Sequence, residues 1–229
     1  MIISHKYKFI FIKTMKTAGT SIEHYLRPLC GAEDVLTPIT NETDGMEFAR
    51  NWKGTFNPIP ELFIDPHHAR IVLDALRSGS KYEEHQPAVR VRARTPRSIW
   101  DSYYKFCVER NPWDKVLSFY HFACGLMGPL SLDDFIAGRH VAQNYPLYTG
   151  WRNHRKIVVD RVLRYEDLDR ELGEVFEMLG VPYSGTLTVR RKGHFRQDRR
   201  PYREVLTSVQ RDAIAKLLKP EIDLFGYEF

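Results

Sequence analysis

The sequence has few cysteines and no long hydrophobic run, and both absences restrict what the protein can be. Its three cysteines, Cys30, Cys107 and Cys124, form neither a C-x-x-C pair nor a spacing suited to a metal ion. Such an odd, scattered set is typical of buried thiols that stay reduced in a cytosol. No segment approaches the run of about 18 apolar residues needed to cross a bilayer, and the N-terminal residues lack a signal-peptide cleavage pattern. We therefore expect a cytoplasmic protein with no membrane span.

The sequence also lacks internal repeats and low-complexity tracts. Its 229 residues are enough to bury a substantial core, and its 43% hydrophobic and 28% charged residues are ordinary for a globular protein. We expect a single domain over residues 1–229.

Positive charge is in excess, and it is concentrated in two places. The net charge is +5, carried mostly by "RRKGHFRQDRRPYR" (190–203), with "VRVRAR" (89–94) as a second patch. One interpretation is a solvated surface; the other is a site for a polyanionic small molecule or polymer. Composition does not decide between them, and "VRVRAR" is either a contact for an acidic glycan or a solvated face.

Apolar strand-like segments alternate with amphipathic ones, which predicts an α/β protein with a parallel sheet. Buried strands are expected at 8–13, 104–109 and 157–163, and a half-exposed strand at 89–94. We predict an irregular segment over most of 32–66, an exposed loop at 78–87, and helices at about 20–29, 69–77, 98–103, from 112, from 131, 167–179 and 208–218. Expected helix caps are Thr20 or Ser21, Ser98, Asn111, Ser131 and Asp167, with Gly180 ending one helix.

The segment "FIFIKTMKTAGTSIEHYL" (9–26) has the outline of a phosphate-binding loop between a strand and a helix. A Walker A loop reads G-x-x-x-x-G-K-[ST], whereas here Lys16 precedes the only glycine, Gly19. Residues 17–21 are small, so their N–H groups can close around an oxyanion at a helix N-terminus, and Gly19 tolerates unusual torsions. The alternative is a plain strand–turn–helix whose lysines are solvated.

"KTAGTS" (16–21) resembles the 5′-phosphosulfate-binding loop of sulfotransferases that use PAPS (3′-phosphoadenosine 5′-phosphosulfate), in particular the carbohydrate and membrane-type family and its bacterial relatives. That family's loop typically reads F-I-H-I-P-K-T-A-G-T-S, so this chain departs from it at Lys13 and Met15. The resemblance implies a three-layer, P-loop-like fold with a central parallel sheet flanked by helices. It also implies that a set of loop residues binds the cofactor: Lys13, Thr14, Lys16, Thr17, Ala18, Gly19, Thr20 and Ser21.

A second segment, "YYKFCVERNPWDKVLSFYHF" (103–122), resembles the same family's strand–helix unit R-N-P-W-D-R-x-x-S-x-Y. The resemblance implies that Arg110 and Ser118 bind the 3′-phosphate. The fork of donors on an arginine suits a phosphate group. The alternatives are an ion pair between Arg110 and Asp114 and a helix-packing role for Ser118.

Two later segments resemble the family more weakly. "VLRYEDLDRELGEVFEMLGVP" (162–182) is expected to be structural. In 190–204, Arg191, Lys192 and Gly193 are similar to the R-K-G loop that holds the 3′-phosphate in cytosolic sulfotransferases. The alternative for these three residues is a solvated basic loop.

Sulfuryl transfer needs a base for the acceptor hydroxyl, and histidine suits that role near neutral pH. Family members often carry a histidine in a stretch like K-H-A-x-A-R before a helix. "DPHHARIVLDAL" (65–76) matches in part, which assigns the base to His68, with His67 as the neighbour if the register slips. The alternative is a helix N-terminus without chemistry. We expect Lys16 to stabilise the charge on the departing oxygen and expect no metal.

These features predict an enzyme, a PAPS-dependent sulfotransferase that releases PAP. The expected acceptor is the hydroxyl of a carbohydrate or glycosylated small molecule, and nucleic acid is not an expected partner. A P-loop-type nucleotide or metabolite kinase and a non-enzymatic binder of anionic glycans or nucleic acid are the alternatives. The first would need a Walker A loop, and the second would need basic residues interleaved with stacking aromatics. The sequence indicates neither the acceptor nor the oligomeric state.

Overall fold

A mixed sheet of five strands, in the order β3–β1–β2–β4–β5, forms the centre of the protein. The computed structural model describes residues 1–40, 45–64, 69–150, 156–187, 196 and 198–229. Strands β2, β4 and β5 are parallel, while β1 is antiparallel to both of its neighbours. The strands are β1 (Ile2–Ser4), β2 (Phe9–Phe11), β3 (Val35–Leu36), β4 (Tyr104–Glu109) and β5 (Arg161–Arg164).

The expectation of a wholly parallel sheet was wrong at one edge. Only the short segment 5–8 joins β1 to β2, and a tight connection of this kind makes antiparallel neighbours because a parallel crossover needs about a dozen residues or more. Strand β3 then pairs with β1 through Val35 and Leu36. The three strands that carry the predicted motifs are the parallel ones.

Helices account for most of the remaining described chain. They are α1 (Gly19–Leu26), α2 (Ile59–Ile64), α3 (Ala69–Ser78), α4 (Ala88–Arg94), α5 (Arg97–Ser102), α6 (Pro112–Met127), α7 (Leu132–Ala137), α8 (Tyr145–Tyr148), α9 (Leu168–Leu179), α10 (Tyr202–Val205), α11 (Ser208–Leu217) and α12 (Lys219–Phe225). Short 3₁₀ turns follow α1 and precede α9. No helix in the described part of the chain is long and apolar enough to cross a membrane.

The helix caps were predicted with mixed success. Asn111 accepts hydrogen bonds from the backbone of the first turn of α6, and Ser131 does so for α7, as expected. Gly180 ends α9 in the left-handed conformation. By contrast, Asp167 makes no side-chain cap bond at α9, and α5 follows Pro96 rather than a serine cap at Ser98.

The segment 88–94 is a helix, so the prediction of a strand there was wrong. Its alternation of valine and arginine suggested a strand, but the buried residues are Ala88, Val91 and Arg94, which recur at every third position on one helix face. Arg94 is buried against Glu61 of α2, with Nη2 and Oε2 3.0 Å apart, and Arg90 Nε donates to the same carboxylate at 3.0 Å. Two of the three arginines of "VRVRAR" therefore serve packing.

Other boundaries also moved. The predicted third strand begins at Arg161 rather than 157, and the last predicted helix is followed by a further one, α12, with Pro220 in its first turn. The segment 32–66, expected to be mostly irregular, includes β3 and α2 among its described residues.

Apolar side chains cover both faces of the sheet because neighbouring residues of a strand point to opposite faces. Phe9, Phe11 and Phe106 pack on one face with residues of α1 and α9. Ile10 and Cys107 pack on the other face with residues of α4 and α8. A further cluster joins α6, α7 and α11 beside the sheet. This packing leaves the carboxyl ends of β2, β4 and β5 at one open edge.

Candidate functional site

A cleft of about 1240 Å³ opens at the carboxyl ends of the parallel strands, where ligands usually bind in such sheets. Its walls come from the segments that directly follow β2, β4 and β5. These are the 13–21 loop, the start of α6 from Arg110, and residues 165–170. Arg196 and residues 199–202 close another side. The predicted motif residues that the structure describes therefore line a single cleft.

The 13–21 loop has an unusual backbone. Lys16 and Ala18 both adopt the left-handed conformation, each with φ of 62°, which costs about 1–3 kcal/mol per non-glycine residue and tends to occur at functional sites. Gly19, which would tolerate an unusual torsion, is not among the residues with a positive φ. A Cβ on Gly19 would lie 2.8 Å from Cγ of Lys13, so this glycine is needed for close approach instead.

The N-terminus of α1 differs from the prediction too. The helix starts at Gly19 after Ala18, so neither Thr20 nor Ser21 is the N-cap, and Ala18 makes no side-chain cap bond. Both hydroxyl residues lie in the first turn and line the cleft. The N-cap residue of α1 therefore offers no polar side chain to the first N–H groups of the helix.

Two threonines fasten the loop to the sheet. Thr14 Oγ1 donates to the carbonyl of Val108 in β4, and Thr17 Oγ1 lies 2.8 Å from Thr14 Oγ1. Because the Thr14 proton is used on Val108, Thr17 donates in the second bond. These hydroxyls hold the loop in shape.

Lys13 is buried in an ion-pair cluster. Its ammonium lies 2.6 Å from Oε2 of Glu23 and also contacts Glu84, and the lysine side chain is only 2% exposed. Burial by itself raises the pKa of Glu84, but Lys13 and hydrogen bonds from Thr40 outweigh it and hold that pKa at about 2. The side chain at this position, where the resembling family often has histidine, therefore faces buried carboxylates.

Met15, the other departure from the family pattern, is held through its backbone. Its N–H donates to Oδ1 of Asn144 at 2.8 Å, and its carbonyl accepts from Nδ2 of the same side chain at 3.0 Å. A proline at this position would have no N–H to donate. The asparagine thus fastens a loop position that the family often fills with proline.

Lys16 and Arg110 lie side by side in the cleft. Arg110 Nη1 donates to the carbonyl oxygen of Lys16 at 3.2 Å, and Nζ of Lys16 lies 4.2 Å from the ring centroid of Phe122. Ser118 lines the same cleft, on α6. The two predicted phosphate-binding motifs are therefore in direct contact.

Arg110 also makes the ion pair that the sequence left open. Its Nε lies 2.8 Å from Oδ2 of Asp114, and its guanidinium packs 4.1 Å from the ring centroid of Tyr165. Arg196 donates to the other oxygen of Asp114. Burial raises the pKa of Asp114, but the two arginines outweigh it and lower the pKa overall. One carboxylate thus sits between two arginines of the cleft.

His85 is a cleft residue that sequence reasoning missed. The segment 78–87 was predicted to be an exposed loop, but Tyr82, Glu84 and Gln86 are buried and His85 faces the cleft beside the 13–21 loop. The sequence contained a signal, because the base was expected to be a histidine ahead of a helix and His85 precedes α4. The signal was not recognised because 89–94 was predicted to be a strand.

The contacts of His85 define its tautomer. Nδ1 lies 3.0 Å from the carbonyl oxygen of Lys13; a carbonyl only accepts, so Nδ1 carries the hydrogen and Nε2 has the lone pair. Nε2 lies 3.9 Å from Oε1 of Glu84. Burial, followed by the charge of Lys13, lowers the pKa of His85 to about 4. The imidazole is therefore neutral at physiological pH.

Several predicted site residues lie outside the described residues: His67, His68, Arg191, Lys192 and Gly193. Arg164 and Glu166, in the segment expected to be structural, hold the C-terminal region. Arg164 donates to the carbonyl of Phe225, and Glu166 accepts from Tyr227 and from the backbone of Asn111. Among the described residues, no group of three or more His, Cys, Asp or Glu side chains could hold a metal ion.

The fold and cleft define a mixed α/β protein with a loop of small residues at the carboxyl edge of its sheet. Comparison with models of known protein families finds no match. An uncharacterized protein of Archaeoglobus fulgidus is 34% identical over 100 residues, which span 42% of this chain and 83% of the archaeal protein. The chain belongs to the same family as that archaeal protein.

Proposed function

We propose that the protein is a PAPS-dependent sulfotransferase with a three-layer, P-loop-like fold that acts in the cytoplasm. Its expected acceptor is a hydroxyl of a carbohydrate or glycosylated small molecule. The observation that carries the proposal is the contact between Arg110 and the carbonyl of Lys16, 3.2 Å long. It joins two segments that independently resemble the phosphosulfate-binding and 3′-phosphate-binding motifs of this enzyme class.

The described residues fit such a cofactor. The 13–21 loop offers small side chains, a left-handed turn and the uncapped N-terminus of α1, a combination that favours an anion. A volume of about 1240 Å³ exceeds the range of about 300–1,000 Å³ typical of small-molecule pockets, which leaves room for a second molecule beside a nucleotide. When bound, PAPS supplies the activated sulfuryl group.

Each residue then has a distinct role. Residues 16–21 hold the 5′ end of the cofactor, and Arg110 and Ser118 hold its 3′-phosphate, with Arg191, Lys192 and Gly193 as proposed further contacts. Within the loop, the Lys16 side chain would stabilise negative charge on the bridge oxygen that departs from the sulfuryl group. Lys13 and Thr14 contribute through the shape of the loop, given their contacts with Glu84 and Val108.

The base is assigned to His85. Its Nδ1 is anchored on the 13–21 loop, which leaves the lone pair of Nε2 to accept the proton of the acceptor hydroxyl. The resemblance alone points instead to His68, or to His67 beside it. Substituting each of the three histidines by alanine separates these proposals, because only the loss of the base should lower turnover while PAP binding persists.

The proposal is tested by binding and by transfer. Millimolar PAP should raise the melting temperature, since a ligand that binds only the native state stabilises it, and no shift would sink the proposal. Labelled sulfate should pass from PAPS to members of a panel of sugars, with or without EDTA. A kinase would instead require ATP and a metal ion, and a non-enzymatic binder would transfer nothing.

Two substitutions test the site. Lys16→Ala should lower kcat by about 10²–10³, as expected on loss of one transition-state donor, and Arg110→Ala should weaken PAP binding. Arg92, exposed on α4, offers a matched control. Arg92→Ala should leave both measurements unchanged.

A further inference from the structure

Asn144 is buried, and both the oxygen and the nitrogen of its amide are hydrogen-bonded. Oδ1 accepts from the N–H of Met15 at 2.8 Å, while Nδ2 donates to the carbonyl of Met15 at 3.0 Å and to Oε1 of Glu109 at 3.3 Å. The side chain has no exposed surface. A single side chain thus satisfies both backbone groups of one loop residue, from a position far along the chain.

The next residue after Met15 is Lys16, whose φ of 62° is unfavourable for any residue other than glycine. Such a conformation persists only where its surroundings hold it. Asn144 holds the chain on one side of Lys16, and Arg110 holds the Lys16 carbonyl on the other, at 3.2 Å. The left-handed turn is therefore clamped from both directions.

Glu109, which accepts a hydrogen bond from Asn144, is itself held by further contacts. Glu109, at the end of β4, is fully buried and also pairs with Lys115 at 2.8 Å and accepts from Tyr148 at 3.0 Å. Lys115 in turn lies 3.5 Å from Glu221 of α12. The clamp on the loop is thus connected to a buried polar cluster behind the cleft.

We propose that Asn144 is a positioning residue: by holding both backbone groups of Met15 it fixes the left-handed turn at Lys16 and so directs the Lys16 side chain into the cleft. Asn144 itself does not touch the reacting groups. The kinetic part of this inference rests on the proposed sulfotransfer, whereas its effect on the loop does not.

The test compares Asn144→Ala with Tyr148→Phe. The control removes a hydrogen bond to the same Glu109 from Tyr148, the last residue of the short helix α8 that Asn144 precedes, without touching the loop. Asn144→Ala should lower kcat for transfer from PAPS by roughly 10- to 100-fold, the scale on which small misplacements of reacting groups act, with little change in acceptor KM. Tyr148→Phe should leave kcat unchanged.

A double-mutant cycle with Lys16→Ala adds a sharper criterion. Because Asn144 acts through Lys16, adding Asn144→Ala to Lys16→Ala should lower kcat no further. A full additional loss in the double variant would overturn the inference, as would wild-type kcat in Asn144→Ala. If the alanine variant does not fold, the uncharged Asn144→Leu, which has a similar volume and makes none of these hydrogen bonds, replaces it with the same expectations.

Hydrogen exchange separates this inference from the proposed function. Amides of residues 15–20 should exchange faster in Asn144→Ala than in the wild type or in Tyr148→Phe, whatever ligand the cleft binds. Unchanged exchange would overturn the inference. Faster exchange in a protein that neither binds PAP nor transfers sulfate would support the positioning role and overturn the sulfotransferase proposal alone.

Discussion

Nδ1 of His85 lies 3.0 Å from the carbonyl oxygen of Lys13, so the cleft's imidazole is attached to the loop that is proposed to bind the cofactor. The two residues are 72 positions apart in the chain. Their contact places the lone pair of a neutral nitrogen beside the 13–21 loop, so the transfer rate should depend on pH through this imidazole.

His85→Ala should lower the transfer rate strongly while PAP binding persists. Burial, and then Lys13, lower the pKa of His85 to about 4 from an ordinary 6.5. A base must be neutral, so the wild-type rate should stay level as the pH falls through 6.5 and decline only near 4. A pH–rate profile of kcat tests this. A decline centred near 6.5 would contradict the assignment to His85, and full activity in His85→Ala would assign the base to His68 or His67 instead.

Glu84 should contribute to stability in acid. Burial raises its pKa, but Lys13 and Thr40 lower it overall from 4.5 to about 2. A carboxylate with a depressed folded-state pKa stabilises the fold above 4.5, and this contribution is lost as the pH falls from 4.5 through 2. Glu84→Gln should therefore show a lower free energy of unfolding at neutral pH and a shallower decline in acid. Urea unfolding across this range tests it, with Glu83→Gln as the neighbouring control.

Arg94 and Arg92 should differ sharply although they lie on the same helix. Arg94→Ala leaves Glu61 buried without its main partner, which typically costs about 3–5 kcal/mol of unfolding free energy. Arg92 is exposed, so Arg92→Ala should change that free energy by no more than about 0.5 kcal/mol. Equal effects in chemical denaturation would contradict the helical placement of 88–94.

Gly19→Ala should destabilise the protein by about 1–3 kcal/mol, the usual cost of overpacking, because its Cβ would lie 2.8 Å from a Lys13 side chain that two carboxylates hold in place. Gly31→Ala is the matched control, since a Cβ there meets nothing nearer than 3.9 Å. Thermal unfolding with and without PAP measures both stability and binding. Neutral behaviour of Gly19→Ala would show that the loop can adjust.

The features that depend on neighbouring residues in the chain could be predicted from the sequence. Strand β4, the Asn111 cap of α6 and the left-handed Gly180 follow from short-range rules, and they are confirmed. The resemblance implied that Arg110 and the 13–21 loop bind the same cofactor, and the two segments are in contact.

The features that were missed depend on distant partners. A period-two pattern suggested a strand at 89–94, but this segment is a helix that buries Arg94 against Glu61, 33 positions away. One of the two carboxylates that contact Lys13, that of Glu84, is 71 positions away, and the side chain that binds the backbone of Met15 is Asn144, 129 positions away. No local rule links such pairs, so neither the left-handed turn at Lys16 nor the position of His85 in the cleft could be predicted from the sequence.

The carboxylate of Asp114, held between Arg110 and Arg196, has a consequence for how an anion enters the cleft. Both guanidinium groups already have a negative partner, so a phosphate bound as proposed would exchange places with Asp114 or share its donors. The free energy of its binding would then depend on the difference between two similar sets of hydrogen bonds. Affinity for such an anion should consequently respond less to added salt than the number of arginines around the cleft suggests, and selectivity would favour the anion that fits the arginine fork better than the protein's own carboxylate does.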